Sequence, residues 1–209
     1  MISNNSMEEK VEVDLSFMNP LGVKNSELLR EYGKLHPCVI PVVCAVKAWA
    51  KQKGLVSAKE NNFQRLTSYA WTMMVIFYLQ VRVGLVPSLQ RPSFATYDPS
   101  IQSPTFFINA DDDDLKMAIS KGKVCPNYNN YRLEDADKLT RGFFNFYGLG
   151  EFLYLTPVDI TRGAISPQPT PKQRREIREA LRTNRFKPKL VIRDPFLRNK
   201  NLASNCSHW

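Results

Sequence analysis

The sequence predicts a mainly α-helical fold with small β elements, an α+β chain in which helices do most of the packing. Three observations carry this. Apolar residues recur at helical spacing in several segments of ten or more residues. Turn formers such as Pro37, Gly54, Gly84 and Gly148 close those segments. Only short stretches alternate or are β-prone, at 11–17, 154–161 and 190–192.

Taken in order, Val11, Val13, Leu15 and Phe17 share one face of a half-buried strand, and Glu12, Asp14 and Ser16 share the other. Asn19, Pro20 and Gly22 break it. A first helix is expected from near Asn25, with Asn25 or Ser26 as its cap and Leu28, Leu29 and Tyr32 on its apolar face. A second is expected over about 38–53. A third, over about 67–82, is apolar on nearly every side and so is expected to be buried. The stretch 92–130 reads as an exposed, partly irregular connection, with Asp111 to Asp114 a solvated turn. A helix over 135–146 has Asp135 in front and Gly148 behind. Pro167, Pro169 and Pro171 read as a linker, 172–185 as a basic helix, and Asp194-Pro195-Phe196 as a turn leaving the last short strand. There is no internal repeat.

Hydrophobic residues make up 43% of the 209, enough for a real core, and the net charge of +9 points to an anionic partner such as a nucleotide or RNA. The cysteines Cys38, Cys44, Cys125 and Cys206 form no Cys-x-x-Cys pair, and His36 and His208 are the only histidines, so no zinc site is expected. Scattered cysteines without a secretory signal suggest a reducing compartment. The longest strongly apolar run, 70–79, is too short to span a bilayer, so no membrane partner is expected.

Several residues carry candidate chemistry. Asp14, on the polar face of a strand, is placed to hold a divalent metal, although a lone strand aspartate is more often just exposed. Lys47 and Lys51 lie four apart on one helical face, where their repulsion becomes a gain if a polyphosphate sits between them; a solvated face is the alternative. Thr67, Ser68 and Tyr69 open the third helix, where hydroxyls either cap it or meet a phosphate, and Tyr69 either stacks on a base or packs in the core. Residues 172–200 hold eleven basic residues against three acidic ones, among them Arg174, Arg175, Arg178, Arg182 and Arg185. That concentration suits a track for the RNA backbone.

Together these pieces resemble one family. V-D-L-S-F-M-N-P-L-G-V-K-N-S-E-L-L-R-E-Y is similar to the last catalytic strand, and the loop and helix behind it, of the noncanonical poly(A) polymerases and terminal uridylyltransferases. V-K-A-W-A-K-Q-K-G-L resembles their lysine helix, and L-T-S-Y-A-W-T-M-M-V-I-F-Y-L-Q, with V-P-S-L-Q beyond, their next helix. R-G-F-F-N-F-Y-G and V-I-R-D-P-F-L-R-N-K-N-L-A resemble their later Gly-Phe-Phe helix and closing Asp-Pro-Phe motif, in the family's order. The resemblance implies a helical central, poly(A) polymerase-associated domain over 19–209 and a remnant of the catalytic sheet over 1–18. It makes Asp14 the third carboxylate of a triad that holds Mg²⁺ or Mn²⁺. It assigns Asn25, Ser26, Lys47, Lys51, Ser68, Tyr69 and Asp194 to the incoming UTP or ATP.

Two departures stand out. The triad's first two carboxylates have no counterpart among Met1 to Glu12. Leu197 and Lys200 stand where the family has an acidic residue and a base-reading His or Asn, which brings Lys200 into the nucleotide set. The implied function is template-independent addition of UMP or AMP to an RNA 3′ end, in a chain that lacks two catalytic carboxylates. A noncatalytic RNA-, nucleotide- or protein-binding module on the same fold is the alternative, as is a protein partner that supplies the missing half. A cytoplasmic location is expected, nuclear or mitochondrial being the alternatives.

Overall fold

A computed structural model describes residues 17–56, 65–90, 105–148, 157–163, 190–197 and 199–204, together with Thr170, Lys172, Arg175, Glu179 and Cys206. The expected strand over 11–17 lies outside these residues apart from its last residue, Phe17, which is exposed.

Helix α1 runs Pro20–Leu35, five residues earlier than the apolar pattern suggests. Its cap is Asn19, whose side chain accepts from the Gly22 amide at 2.8 Å, and Pro20 takes the first turn, where its missing N–H costs nothing. The residues read as strand breakers are therefore a helix start. Helix α2 runs Val39–Gln52 and buries Val39, Val42, Val46 and Ala50 along one stripe. Helix α3 runs Ser68–Tyr78, with Thr67 as cap accepting from Ala70 N at 3.1 Å. Every residue from Ala70 to Tyr78 is buried, as its unbroken apolarity requires. The α-helix stops short of position 82: Leu79–Val83 winds as a wider π turn, closed by Gly84 in the left-handed region (φ 68°).

The acidic run is also more ordered than a solvated turn. Asp112 caps helix α4, Asp113–Ser120, by accepting from Leu115 N at 3.0 Å. Asp113 and Asp114 occupy its first turn, where the helix dipole favours negative charge, and Asp111 lies 3.5 Å from Lys34. Helix α5, Ala136–Gly148, buries Leu139, Phe143 and Tyr147. Helices α2, α3 and α5 pack together with α1 against α2, and this bundle forms the centre of the core. Expected strands at 154–161 and 190–192 appear in the described residues only as a parallel bridge between Val158 and Ile192.

Gly142 sets the spacing of α5 on α3. A Cβ there would run into the Tyr78 hydroxyl, and the Tyr78 ring is itself held against Phe143 and Phe146, with centroids 5.9 and 5.5 Å away. Alanine gains about 1 kcal/mol of helix propensity, but overpacking costs about 1–3 kcal/mol. Gly142→Ala is thus expected to destabilise the protein by roughly 1–2 kcal/mol in urea titration. The loss should vanish in a Tyr78→Phe background, which removes the colliding oxygen. A stabilising Gly142→Ala would show that Tyr78 has room to move.

The α1–α2 corner is expected to respond to pH. Buried His36 lies with Nε2 3.2 Å from the Tyr128 carbonyl and Nδ1 accepting from Cys38 N at 3.2 Å, an arrangement that needs the neutral ring. Burial lowers its pKa, outweighing its backbone bonds to Tyr128 and Tyr131. A depressed pKa means that the unfolded chain binds the proton first. The contribution is full above the unfolded value of about 6.5 and is lost as pH falls through the folded value. Thermal midpoints are expected to drop from pH 7 to pH 5, and this drop should be flattened in His36→Asn. Equal profiles for the two proteins would refute it. Buried Glu31 acts in the same direction in a lower window, below about 4.3. Burial by itself would raise its pKa, but the Ala110 amide, Lys34 and Arg30 together hold it below its ordinary value.

Candidate nucleotide-binding site

The sequence places Asn25 and Ser26 on α1, Lys47 and Lys51 on α2, and Ser68 and Tyr69 at the start of α3. Folding brings α1 and α3 into direct contact through two of these residues. The Tyr69 hydroxyl donates to Asn25 Oδ1 at 2.8 Å, across 44 residues of chain. Burial, and secondarily the charge of Asp194, raises the Tyr69 pKa, so the phenol stays protonated and can donate. Its ring is half-buried and packs against the core, one of the two roles that the sequence left open to it, while its hydroxyl fixes Asn25. Ser68, half-buried, occupies the first helical position, and its carbonyl accepts from Thr72 Oγ1 at 2.9 Å. Ser26 is exposed, and its hydroxyl is turned back onto the Gly22 carbonyl at 3.0 Å.

Asp194 approaches from the far end of the chain. It is buried, and its Oδ1 accepts from both Phe196 N and Leu197 N at 2.9 Å, which shapes the turn. Its own amide donates to the Lys200 carbonyl at 3.1 Å, so Asp194 and exposed Lys200 close one loop. The base of this loop is the Val158–Ile192 bridge on one side. On the other, Asn201 Oδ1 accepts from Ile192 N and its Nδ2 donates to the Leu190 carbonyl.

A polar network that the sequence reading missed holds the loop against the helices. Gln80 Nε2 lies 3.0 Å from Tyr32 Oη, 3.1 Å from the Pro87 carbonyl and 3.1 Å from the Ile160 carbonyl. Ser88 donates to the Thr161 carbonyl at 2.8 Å, and Gln90 to the Pro195 carbonyl at 3.0 Å. The available signal was a glutamine ending an otherwise apolar helix, with a second inside V-P-S-L-Q: a buried amide demands partners.

Lys47 and Lys51 flank the buried stripe of α2. Lys47 is half-buried and Lys51 exposed, and neither forms an ion pair among the described residues. Lys51 also sits in the last turn of α2, where the dipole favours a cation. Asp14, Arg174, Arg178, Arg182 and Arg185 lie outside the described residues; Lys172 and Arg175 are helical and exposed. Among the described residues no group of three His, Cys, Asp or Glu side chains could hold a metal ion, and Asp14, the metal ligand that the resemblance implies, lies outside them. No described helix is long and apolar enough to cross a membrane.

No family model matches the chain. Individual relatives do. It is 36% identical over 138 residues to the poly(A) RNA polymerase GLD2 of Danio rerio, covering 66% of this chain and 25% of that protein. It is 33% identical over 141 residues to terminal uridylyltransferase 1 of Trypanosoma brucei brucei, covering 66% of this chain and 13% of that one. The chain belongs to the noncanonical poly(A) and poly(U) polymerase family of nucleotidyltransferases. A third relative, caffeine-induced protein 16 of Schizosaccharomyces pombe, is 29% identical over 199 residues, which is 92% of this chain and 15% of the relative. The chain thus spans a quarter or less of these three relatives. Among solved structures, a mutant of the Cid1 poly(U) polymerase bound to MgATP superposes with a TM-score of 0.54 at 26% identity, over 91% of this chain and 51% of the other. RNA editing TUTase 1 from Trypanosoma brucei, in complex with the UTP analogue UMPNPP, gives 0.52 at 23%, over 90% and 36%. The helical architecture is therefore that of the family.

Proposed function

We propose that this chain is the nucleotide-binding helical part of an RNA 3′-terminal nucleotidyltransferase that adds UMP or AMP without a template. The observation that carries the reading is the Tyr69–Asn25 bond with the Asp194 charge beside it. Asn25 and Tyr69, distant in the chain and both assigned to the nucleotide by resemblance, meet directly, and Asp194, assigned likewise, lies near enough for its charge to act on Tyr69. Tyr69 and Asp194 would frame the base and Asn25 the ribose. Ser26, Ser68, Lys47 and Lys51 would take the phosphates, and Lys200 would face the base from the loop. Solved relatives bound to MgATP and to a UTP analogue support a nucleoside triphosphate as ligand. The basic segment 172–200, with Arg174, Arg175, Arg178, Arg182 and Arg185, would track the RNA backbone.

Mg²⁺ or Mn²⁺ at Asp14 belongs to this proposal on the strength of the resemblance. Two-metal phosphoryl transfer needs several converging carboxylates, and the sequence has a counterpart for one of the family's three. The 209-residue chain by itself is therefore expected to bind UTP or ATP yet leave a labelled RNA primer unextended, the rest of the catalytic carboxylates coming from another polypeptide segment or partner. Thermal unfolding with each NTP and a primer-extension assay test both halves. Absence of protection by any NTP would sink the nucleotide reading. Extension that disappears in Asp14→Ala would reveal a complete site.

A further inference from the structure

A groove runs along the outer face of α1, away from the Tyr69–Asn25 contact. It has two joined hollows, of about 530 and 410 Å³, which share Glu27 and Arg30 as lining. One hollow reaches Ser26; the other is walled by Phe106 and Phe107 of the segment that follows position 104. Lys24 stands at this wall with its ammonium 5.9 Å from the centre of the Phe107 ring, and Phe107 in turn lies against Phe196 of the Asp194 loop, centroids 6.3 Å apart. The groove therefore connects a residue of the candidate phosphate site with the back of the base-site loop.

Resting on the function proposed above, we infer that this groove seats the single-stranded 3′ segment of the acceptor RNA. Phe106 is the stacking platform, and Lys24 and Arg30 are the phosphate contacts. The chemistry favours that occupant. Half-buried aromatic faces beside cations suit a ligand that alternates flat bases with anions, and stacking tolerates any base. Among the described residues Lys24 pairs with Glu27 at 2.8 Å and lies over the Phe107 ring, and Arg30 pairs with Glu31 at 3.3 Å. The Lys24–Glu27 pair is solvent-accessible and holds weakly, and Arg30, itself exposed, reaches buried Glu31 only at 3.3 Å, so phosphates can take over both cations. Glu31 is buried and stays paired with Lys34, so releasing Arg30 leaves no bare carboxylate. Duplex RNA has its bases stacked inside and offers Phe106 no face.

Fluorescence anisotropy with labelled twelve-nucleotide oligo(U) and oligo(A), and with a twelve-base-pair duplex, tests this on the 209-residue chain. Lys24→Gln with Arg30→Gln should weaken single-strand binding about tenfold and flatten the log–log salt slope by about 1.4, the share of two phosphates. Phe106→Leu, which keeps bulk in case Phe106→Ala unfolds, should weaken single-strand binding severalfold and leave duplex binding unchanged. The pair Lys121→Gln with Lys123→Gln, exposed and outside both the groove and the basic segment, removes equal charge elsewhere. Wild-type affinity in the groove variants would overturn the inference, as would equal losses from both charge pairs on single strand and duplex alike. NTP protection without any RNA binding overturns the groove alone; absence of both overturns the proposed function as well.

Discussion

Replacing Gln80 by leucine is expected to destabilise the protein by roughly 2–4 kcal/mol, with little change in nucleotide chemistry once folded. The amide nitrogen serves Tyr32 Oη and the Pro87 and Ile160 carbonyls, all within 3.1 Å, and leucine of similar size leaves those acceptors without it. Tyr32 retains the Leu89 amide at 3.2 Å, but the two carbonyls become buried acceptors that have lost a partner, at about 1–3 kcal/mol each. The Gln80 carbonyl oxygen is itself buried without a partner, and its removal offsets part of that cost. Chemical denaturation reads the result directly. A loss below about 1 kcal/mol would mean that the loop around Ile160 relaxes and finds water.

Lys47→Ala and Lys51→Ala should each weaken UTP or ATP binding by about 10- to 150-fold and leave nucleoside binding nearly untouched. Each charge-assisted phosphate contact is worth about 1.5–3 kcal/mol. Stability should move little, because Lys51 is exposed and Lys47 only flanks the buried stripe of α2. Titrations with UTP and uridine in parallel decide the matter. Equal losses for the two ligands would place these lysines on an ordinary solvated face.

The contrast between these two experiments shows what was legible in the sequence. Lys47 and Lys51 declare a shared face by spacing alone, and Val39, Val42, Val46 and Ala50 declare the buried one; both are local periodicities. Tyr69 and Asn25 are readable as motif members, but their meeting is not. A hydrogen bond spanning 44 residues, like the one of 80 from Gln80 to Ile160, leaves no periodic trace. Asn19-Pro20-Gly22 has the composition of a turn, so the sequence pattern starts α1 too late. Only the Asn19 cap geometry distinguishes a helix start from a break. The Asp111 to Asp114 run reads as a solvated turn for a related reason: four carboxylates repel in isolation, and only the helix behind Asp112 gives them a dipole to face. The π turn at Leu79–Val83 is invisible to any 3.6-residue pattern.

The segment 190–193 has its backbone occupied from both sides. Val158 gives its amide to the Val191 carbonyl and accepts from Arg193 N, each at 2.9 Å. On the opposite side the Asn201 side-chain amide behaves like a peptide unit toward Ile192 and Leu190, and Leu202 N donates to the Ile192 carbonyl at 2.8 Å. An apolar extended piece such as Leu190-Val191-Ile192, left open along one side, would be a template for adding strands from other molecules. Asn201 ends that ladder after a single step. A change such as Asn201→Val would free the Ile192 amide and the Leu190 carbonyl together, and would convert a loop anchor into a nucleus for edge-to-edge aggregation.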